Sequence, residues 1–283
     1  MAKENDSVST KPGLYMVDKD IEDILALIYE KYSYDFRNYA KNSVRRRLET
    51  AIVRFDLKTL PALRQKLSQD PDFFLPLLQF LTVPTSEMFR DPEFFLAFRE
   101  KVIPLLKTYP SIRFWIAGCS TGEELYSYVI ILREENLLER TTIYATDINP
   151  VSLKKAETGI FAADRMKDYS LNYQKSGGKG TLSDYFAVAY DSALIDKTLR
   201  KNVVFADHSL ATDSVFGEMQ FVSCRNVMIY FDNDLQNRAI GLFHGSLVFG
   251  GLLGVGSKES LRFSKWASHF QEFAKSERIY QRR

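Results

Sequence analysis

Two short stretches of this 283-residue chain carry residue types suited to holding a nucleoside. The first is Ala117-Gly118-Cys119-Ser120-Thr121-Gly122-Glu123-Glu124, which follows an apolar run and opens a helical pattern. Small residues there let a ligand come close to the backbone. The spacing is neither the dinucleotide G-x-G-x-x-G nor a P-loop, since no Gly-Lys-Ser/Thr follows. Two carboxylates at the helix start would repel phosphate and attract a cation. A tight turn without any ligand is the plain alternative. The second is Asp147 in Ala145-Thr146-Asp147-Ile148-Asn149, 29 residues after Gly118. An acid at the end of a strand can hold two ribose hydroxyls. Alternatively, Asp147 or Asn149 caps the helix that begins at Pro150. Taken together, the two features favour a nucleoside site.

Two further segments point to the same place. In Phe221-Val222-Ser223-Cys224-Arg225-Asn226-Val227-Met228-Ile229-Tyr230-Phe231, the polar pair Arg225 and Asn226 follows a buried-strand pattern, while Met228, Ile229 and Phe231 read as packing. Thr82–Asp91 lies where a helical part gives way to an α/β part, and such junctions favour pockets. S-adenosylmethionine suits all four segments. Its ribose would meet Asp147, its sulfonium and ammonium would meet the carboxylates, and it has no phosphate that needs a lysine. Its pocket is expected between the helical part and the sheet.

The elements that must position these residues follow from periodicity. Ile21, Ile24, Leu25 and Ile28 keep i, i+3, i+4, i+7 spacing after Asp18, so a helix starts there. Further helices are expected over Ser43–Phe55, Leu60–Leu67 and Asp72–Leu81, making a small bundle. Phe94–Leu106 reads as a linking helix. Strands then alternate with helices. Strands are expected at Ile112–Ala117, Thr142–Thr146, Asn202–Ala206, Gln220–Cys224 and Leu252–Gly256, and helices at Glu123–Glu134, Pro150–Thr158 and Asp234–Phe243. Ala267–Phe273 and Glu277–Arg282 read as a closing hairpin. This grammar means a mostly parallel sheet covered on both faces, with ligands beyond the carboxyl ends of its strands. Asp168–Lys201, with its glycine run Gly177-Gly178-Lys179-Gly180, reads as an excursion holding a short strand or two, or as a crossover loop.

Composition narrows the function classes. Lys plus Arg is 38 against 36 for Asp plus Glu, a formal charge of +2, which speaks against a nucleic-acid coat. Lys31–Lys66 nevertheless holds ten basic and three acidic residues, with Arg45, Arg46 and Arg47 in the middle. That run is either a solvated helix face or a docking surface for an acidic partner. Cys119 and Cys224 read as free thiols, and no Cys/His spacing suits a metal. Apolar runs such as Leu125–Leu132 and Leu247–Gly256 fall short of the roughly 20 residues that cross a bilayer. The polar start, with no targeting segment, reads as a disordered tail over residues 1–17, and the expectation is a cytoplasmic monomer without metal or membrane insertion.

Five motifs in order carry a resemblance. Phe114-Trp115-Ile116-Ala117-Gly118-Cys119-Ser120-Thr121-Gly122-Glu123-Glu124-Leu125-Tyr126-Ser127, Ala145-Thr146-Asp147-Ile148, Cys224-Arg225-Asn226-Val227, Ile229-Tyr230-Phe231 and the Ser86–Asp91 segment resemble the CheR family of chemoreceptor glutamate methyltransferases. Arg46-Arg47-Leu48 is similar to the basic helix of the family's N-terminal domain, and the similarity runs from about Asp18 to Arg283. The resemblance implies an α/β, class I methyltransferase-like fold over residues 91–283. An all-α receptor-docking domain over residues 18–90 precedes it, and a small β-subdomain is inserted near residues 168–201. It implies methyl transfer from S-adenosylmethionine to glutamates on a chemoreceptor's acidic cytoplasmic helix, leaving S-adenosylhomocysteine. The implied cofactor contacts are Ser86, Arg90, Ala117, Gly118, Glu124 or its neighbour Glu123, Asp147, Ser209, Leu210, Asn226 and Val227. Arg90 and Tyr230 would face the reacting centre, and Arg45, Arg46 and Arg47 would dock the receptor.

The chain departs from the family pattern at Pro84 (usually Asn), Ser86 (Thr), Met88 (Phe), Leu125 (Pro) and Ser209 (Asn). Pro84 and Ser209 each lose an amide that would contact the cofactor. The excursion lacks the glycine insertion that accompanies binding of a receptor-tail peptide, which points to docking without the tail. Two rival readings remain: a methyltransferase for another protein or a small molecule, and a cofactor-binding paralogue without catalysis.

Overall fold

The computed structural model describes residues 17–283, so the expected tail lies outside the described residues except for Val17. The chain forms two compact units that divide at Leu81/Thr82, with Asn38–Ala40 belonging to the second.

The first unit is helical. In α1 (Asp18–Tyr32) the i, i+3, i+4, i+7 set Ile21, Ile24, Leu25 and Ile28 is buried. The helix stops at Ser33, whose left-handed backbone turns its N–H onto the Tyr29 carbonyl. In α2 (Lys41–Arg54), Val44, Leu48, Ala51 and Ile52 face inward. Thr59 caps α3 (Leu60–Gln69) by accepting the Ala62 N–H at 3.3 Å. A 3₁₀ turn, Pro71–Phe73, leads into α4 (Phe74–Leu81), where the Phe74 ring stacks on Tyr32 at 4.1 Å.

The arginine triplet of α2 does not form one docking face. Successive helical residues point about 100° apart. Arg47 is accordingly buried and donates to the Leu81 carbonyl, and Arg45 pairs with Asp18. Arg46 is exposed, as is Arg54 just over two turns further on. Arg47 is therefore withdrawn from the expected docking set.

The second unit opens with α5 (Pro92–Ala97), a π turn (Phe98–Val102) and α6 (Ile103–Leu106), in place of one uniform linking helix. Its parallel core comprises β1 (Ile112–Ala117), β2 (Thr141–Asp147), β6 (Val203–Asp207), β7 (Met219–Cys224) and β8 (Leu247–Val255). Connecting helices are α7 (Glu123–Glu134), α8 (Pro150–Thr158) and α10 (Asn233–Ser246). The strand β8 starts five residues before the expected Leu252. The closing hairpin, β9 (Phe270–Ala274) with β10 (Ile279–Arg282), joins antiparallel at β8. The sheet order is β6-β2-β1-β7-β8-β10-β9. One face packs Phe98 edge to face against Phe114, Tyr128 and Phe221, with Phe114 and Tyr128 tilted together, and the other packs Trp115 against Phe243.

The excursion is larger than its expected span and is not a bare loop. It starts with β3 (Ile160–Ala162), which pairs with β5 (Ser192–Ile195), and β5 pairs with β4 (Phe186–Ala189) across the short turn Tyr190-Asp191. Between them lies α9 (Met166–Lys175). Gly178 sits where a Cβ would come within 2.4 Å of the Tyr173 ring, which explains the glycine there.

A buried ion pair ties this subdomain to the main sheet's helices. Arg99 meets Glu134 at 2.5 Å, both nearly inaccessible. Glu134 also accepts from the Tyr173 and Tyr185 hydroxyls, and Arg99 Nε donates to the Ser176 carbonyl. Removing one partner leaves a buried charge uncompensated. Glu134→Ala is therefore expected to cost about 3–5 kcal/mol, read as a lower urea-unfolding midpoint; an unchanged midpoint would contradict this role.

Candidate active site

Strand order reverses between β1 and β7, so the crevice beyond their carboxyl ends is where an open α/β sheet binds its ligand. The loop after β1 enters this crevice on left-handed backbone: Gly118 has φ +79°, Ser120 +51° and Gly122 +97°. Gly118 and Cys119 both donate to the Thr146 carbonyl at 2.8 Å, fixing the loop to the end of β2. A Cβ on Gly118 would stand 2.5 Å from Val227 Cγ2, so the loops after β1 and β7 touch there. Ala117 just before it is buried.

Asp147 closes one side. Its Oδ2 accepts the Ser120 N–H at 2.8 Å, and its Oδ1 accepts the Asn149 N–H at 2.9 Å. Burial pushes its carboxyl above the usual range, against the pull of those N–H groups. Capping of α8 falls to Asn149, whose Oδ1 accepts from Val151 and Ser152. Asp147 is thus not the cap. Each of its oxygens holds one described protein donor and keeps acceptor capacity.

The two carboxylates that open α7 differ. Glu124 accepts from Ser223 Oγ (2.8 Å) and from Arg225 Nη1 (2.9 Å). Arg225, fully buried and lying over the Phe94 ring at 4.1 Å, also donates to Asp91 Oδ2 and to the Arg90 carbonyl, both at 2.9 Å. Glu123 Oε2 accepts from Thr121 Oγ1 (2.7 Å), and burial raises its carboxyl. Arg90 is held by its own backbone: Phe89 (φ +53°) and Asp91 (φ +55°) flank it, and the Phe89 N–H donates to Ser127 Oγ at 2.8 Å. Its guanidinium joins no ion pair among the described residues.

A residue outside the expected set organises the loop after β7. Glu259, buried just past the end of β8, accepts N–H bonds from Gly256 (2.6 Å), Asn226 (2.9 Å), Val227 (3.0 Å) and Ile229 (3.2 Å). Burial raises its carboxyl while those N–H groups pull it down. Asn226, at φ +60°, and Val227 take their places from this one side chain. The available signal was an acid shortly after a strand's carboxyl end, the same clue that singled out Asp147.

The remaining expected residues are placed unevenly. Ser209 sits beside Asp147, because the His208 N–H donates to the Asp147 carbonyl, but its hydroxyl is turned into its own loop and accepts the Ala211 N–H. Leu210 is buried. Tyr230 is half-buried in the turn after Val227, with its N–H on the Val227 carbonyl. Ser86 is half-buried, and no described hydrogen bond ties it to the crevice. Both cysteines are buried and their thiols are raised by burial, so neither is an ionised nucleophile.

The crevice fits an adenosyl sulfonium. The carboxylates around it are acceptors, and the buried Ser120 Oγ in the loop after β1 has no hydrogen-bond partner among the described residues. Glu123, Glu124 and Asp147 supply negative charge for a cation and would repel phosphate. Fold and site together define an S-adenosylmethionine-dependent methyltransferase. The model of the CheR methyltransferase S-adenosylmethionine-binding domain matches residues 84–278, and that of the CheR methyltransferase all-alpha domain matches residues 19–82. The chain belongs to the CheR methyltransferase family. It is 56% identical over 265 residues to a Pseudomonas putida protein provisionally named methyltransferase Cher3, covering 94% of this chain and 97% of that one. It is 33% identical over 215 residues to chemotaxis protein methyltransferase 2 of Vibrio cholerae, covering 72% of each. It is 27% identical over 247 residues to the chemotaxis protein methyltransferase of Listeria monocytogenes, covering 87% of this chain and 91% of that one.

Proposed function

We propose that this chain transfers methyl groups to glutamate side chains on the acidic cytoplasmic helices of a chemoreceptor, in the cytoplasm, forming glutamyl methyl esters. The observation that carries the reading is Arg90, whose guanidinium joins no ion pair among the described residues and whose flanking residues, Phe89 and Asp91, stand in left-handed backbone beside the buried Arg225–Glu124 pair. A carboxylate acceptor needs such a cation, whereas a neutral acceptor does not. The names of the chemotaxis relatives support the same substrate.

When bound, S-adenosylmethionine supplies an electrophilic methyl group on a positive sulfur. A glutamate with a pKa of about 4.3 is already ionised at neutral pH, so no general base is required and the protein's work is placement. Asp147 would hold the ribose, Glu124 and Glu123 the cationic end, and Gly118 would give the nucleoside close access to the backbone. Asn226 and Val227, set by Glu259, would line the opposite wall. Arg90 would orient the substrate carboxylate and Tyr230 would flank it. Their grip must stay moderate, because the carboxylate loses its charge in the transition state. The exposed α2 cations, Arg46 and Arg54, with Arg45 beside them, would meet the receptor helix. The tight β4–β5 turn supports docking without a receptor tail.

The test is incubation with methyl-labelled cofactor and a panel of receptor cytoplasmic fragments. Base-labile label on mapped glutamates is expected; no label on any fragment counts against the reading. Glu259 gives a second check. Glu259→Ala strands four N–H groups and frees the Asn226–Ile229 loop, so cofactor affinity by calorimetry is expected to fall by roughly 10–100-fold. Glu259→Gln keeps one acceptor oxygen and should fall between; wild-type affinity in both variants would remove the role.

A further inference from the structure

A second recess opens on the same unit, separate from the crevice residues yet joined to them by the chain. Ser260 follows Glu259 directly and begins the wall of a cavity of about 500 Å³. Leu261, Phe270 and Tyr280, all buried, line it, and Arg262, Lys275 and Arg278 supply its charge. Its one acid, Glu272, is spoken for by Lys275 at 3.4 Å. The nearby Glu277 is paired with Lys101 at 3.7 Å. Arg262 and Arg278 join no ion pair among the described residues, nor do the exposed Lys258 and Lys265 on the same loop. The positive charge here is therefore uncompensated.

Two more observations single out this surface. Arg278 has φ +58°, a conformation a long side chain adopts at a cost. The turn is held because the Arg278 carbonyl accepts the Val255 N–H at 3.1 Å, which places it at the carboxyl end of β8, the strand edge that also carries the crevice. Phe263 is 89% exposed on the loop between Lys258 and Lys265, with the Arg262 guanidinium 5.7 Å from its ring. An aromatic ring left in water among unpaired cations matches an acidic protein surface with an apolar stripe. A small anion would instead call for a buried set of donors, and the cations here sit on exposed or half-exposed side chains.

We propose that this recess docks the acidic flank of the protein substrate while a neighbouring glutamate occupies the crevice. The inference rests on the proposed function above. Arg262 and Arg278 pair with carboxylates elsewhere on the helix that carries the target, and Phe263 covers the apolar side of the same helix. The cleft thus belongs to substrate choice and not to cofactor binding.

The test uses the full chain, a fluorescently labelled receptor cytoplasmic fragment that the wild type methylates, and the variants Arg262→Glu and Arg278→Asn. Asn tolerates left-handed backbone, so the second variant removes the charge and keeps the turn. Fragment Kd by anisotropy and KM are expected to rise roughly tenfold in the combined variant, with a shallower salt dependence. The kcat and the affinity for S-adenosylhomocysteine should stay within about twofold of wild type. If the wild type methylates the fragment and the variants bind it equally well, the cleft assignment is overturned and the proposed function stands. A loss of cofactor affinity matching the loss of fragment affinity overturns it too. If the wild type neither binds nor methylates any receptor fragment, the proposed function falls and takes this occupant with it.

Discussion

An Arg90→Ala enzyme is expected to fold normally and to lose methyl transfer by roughly 10²–10³-fold. The asymmetry comes from how the residue is held. Its carbonyl accepts from Arg225, and its neighbours carry the left-handed turns, so the local structure depends on the backbone and not on the guanidinium. What disappears is the cation that would orient a substrate carboxylate. Arg90→Lys should recover part of the rate, because an ammonium restores charge without the planar fork. Single-turnover transfer of labelled methyl, alongside circular dichroism, measures both quantities. Full activity in the alanine variant would refute the assignment.

Asp147→Asn should separate stability from binding. If Asp147 is the proposed ribose acceptor, two hydroxyls lose their charged partner, so cofactor affinity by calorimetry is expected to drop about 100-fold, in line with 1.5–3 kcal/mol for hydrogen bonds to charged groups. Stability should behave differently. Burial raises the Asp147 carboxyl in the folded chain, so the folded state binds its proton more readily than the unfolded chain, whose carboxyl titrates near 3.9. The contribution to stability is therefore present at low pH and is lost as pH rises through the raised value. At neutral pH the ionised group burdens the fold, and the uncharged amide should leave the melting temperature within a few degrees of wild type. Cofactor affinity should weaken as pH is lowered into that window in the wild type, and this dependence should be much flatter in the variant. The same pH dependence in both proteins would mean that Asp147 is not the ribose acceptor.

Much of the molecule could be read from residue order. Alternating strand and helix patterns yield the parallel sheet, and Asp147 with the small-residue loop lies at its carboxyl edge. The one mark Glu259 leaves in the sequence is its position just past a strand's carboxyl end, because its partners are backbone N–H groups that do not register in side-chain types. The Arg99–Glu134 pair spans distant segments and also had no local signature. The strand β3 acquires its partner from β5, some 30 residues later, so its three residues look like a helix exit when read alone. Helix α9 was obscured by its polar composition, with only Tyr169 and Tyr173 buried one turn apart. Arg45–Arg47 reads as a patch in one dimension, and helical geometry disperses it.

Four of the nine non-glycine residues with left-handed backbone among the described residues gather around the crevice. Phe89, Asp91, Ser120 and Asn226 all stand in left-handed backbone at its rim, each carrying a penalty on the order of 1 kcal/mol. Ser33, Asp56 and Asn136 adopt the same conformation where helices or turns end, well outside the loops that form the crevice. A lineage pressed toward heat resistance could substitute glycine at those endings and keep its chemistry. Relaxing the rim in the same way would trade catalytic placement for thermal robustness, so selection on activity and selection on durability meet at these four positions.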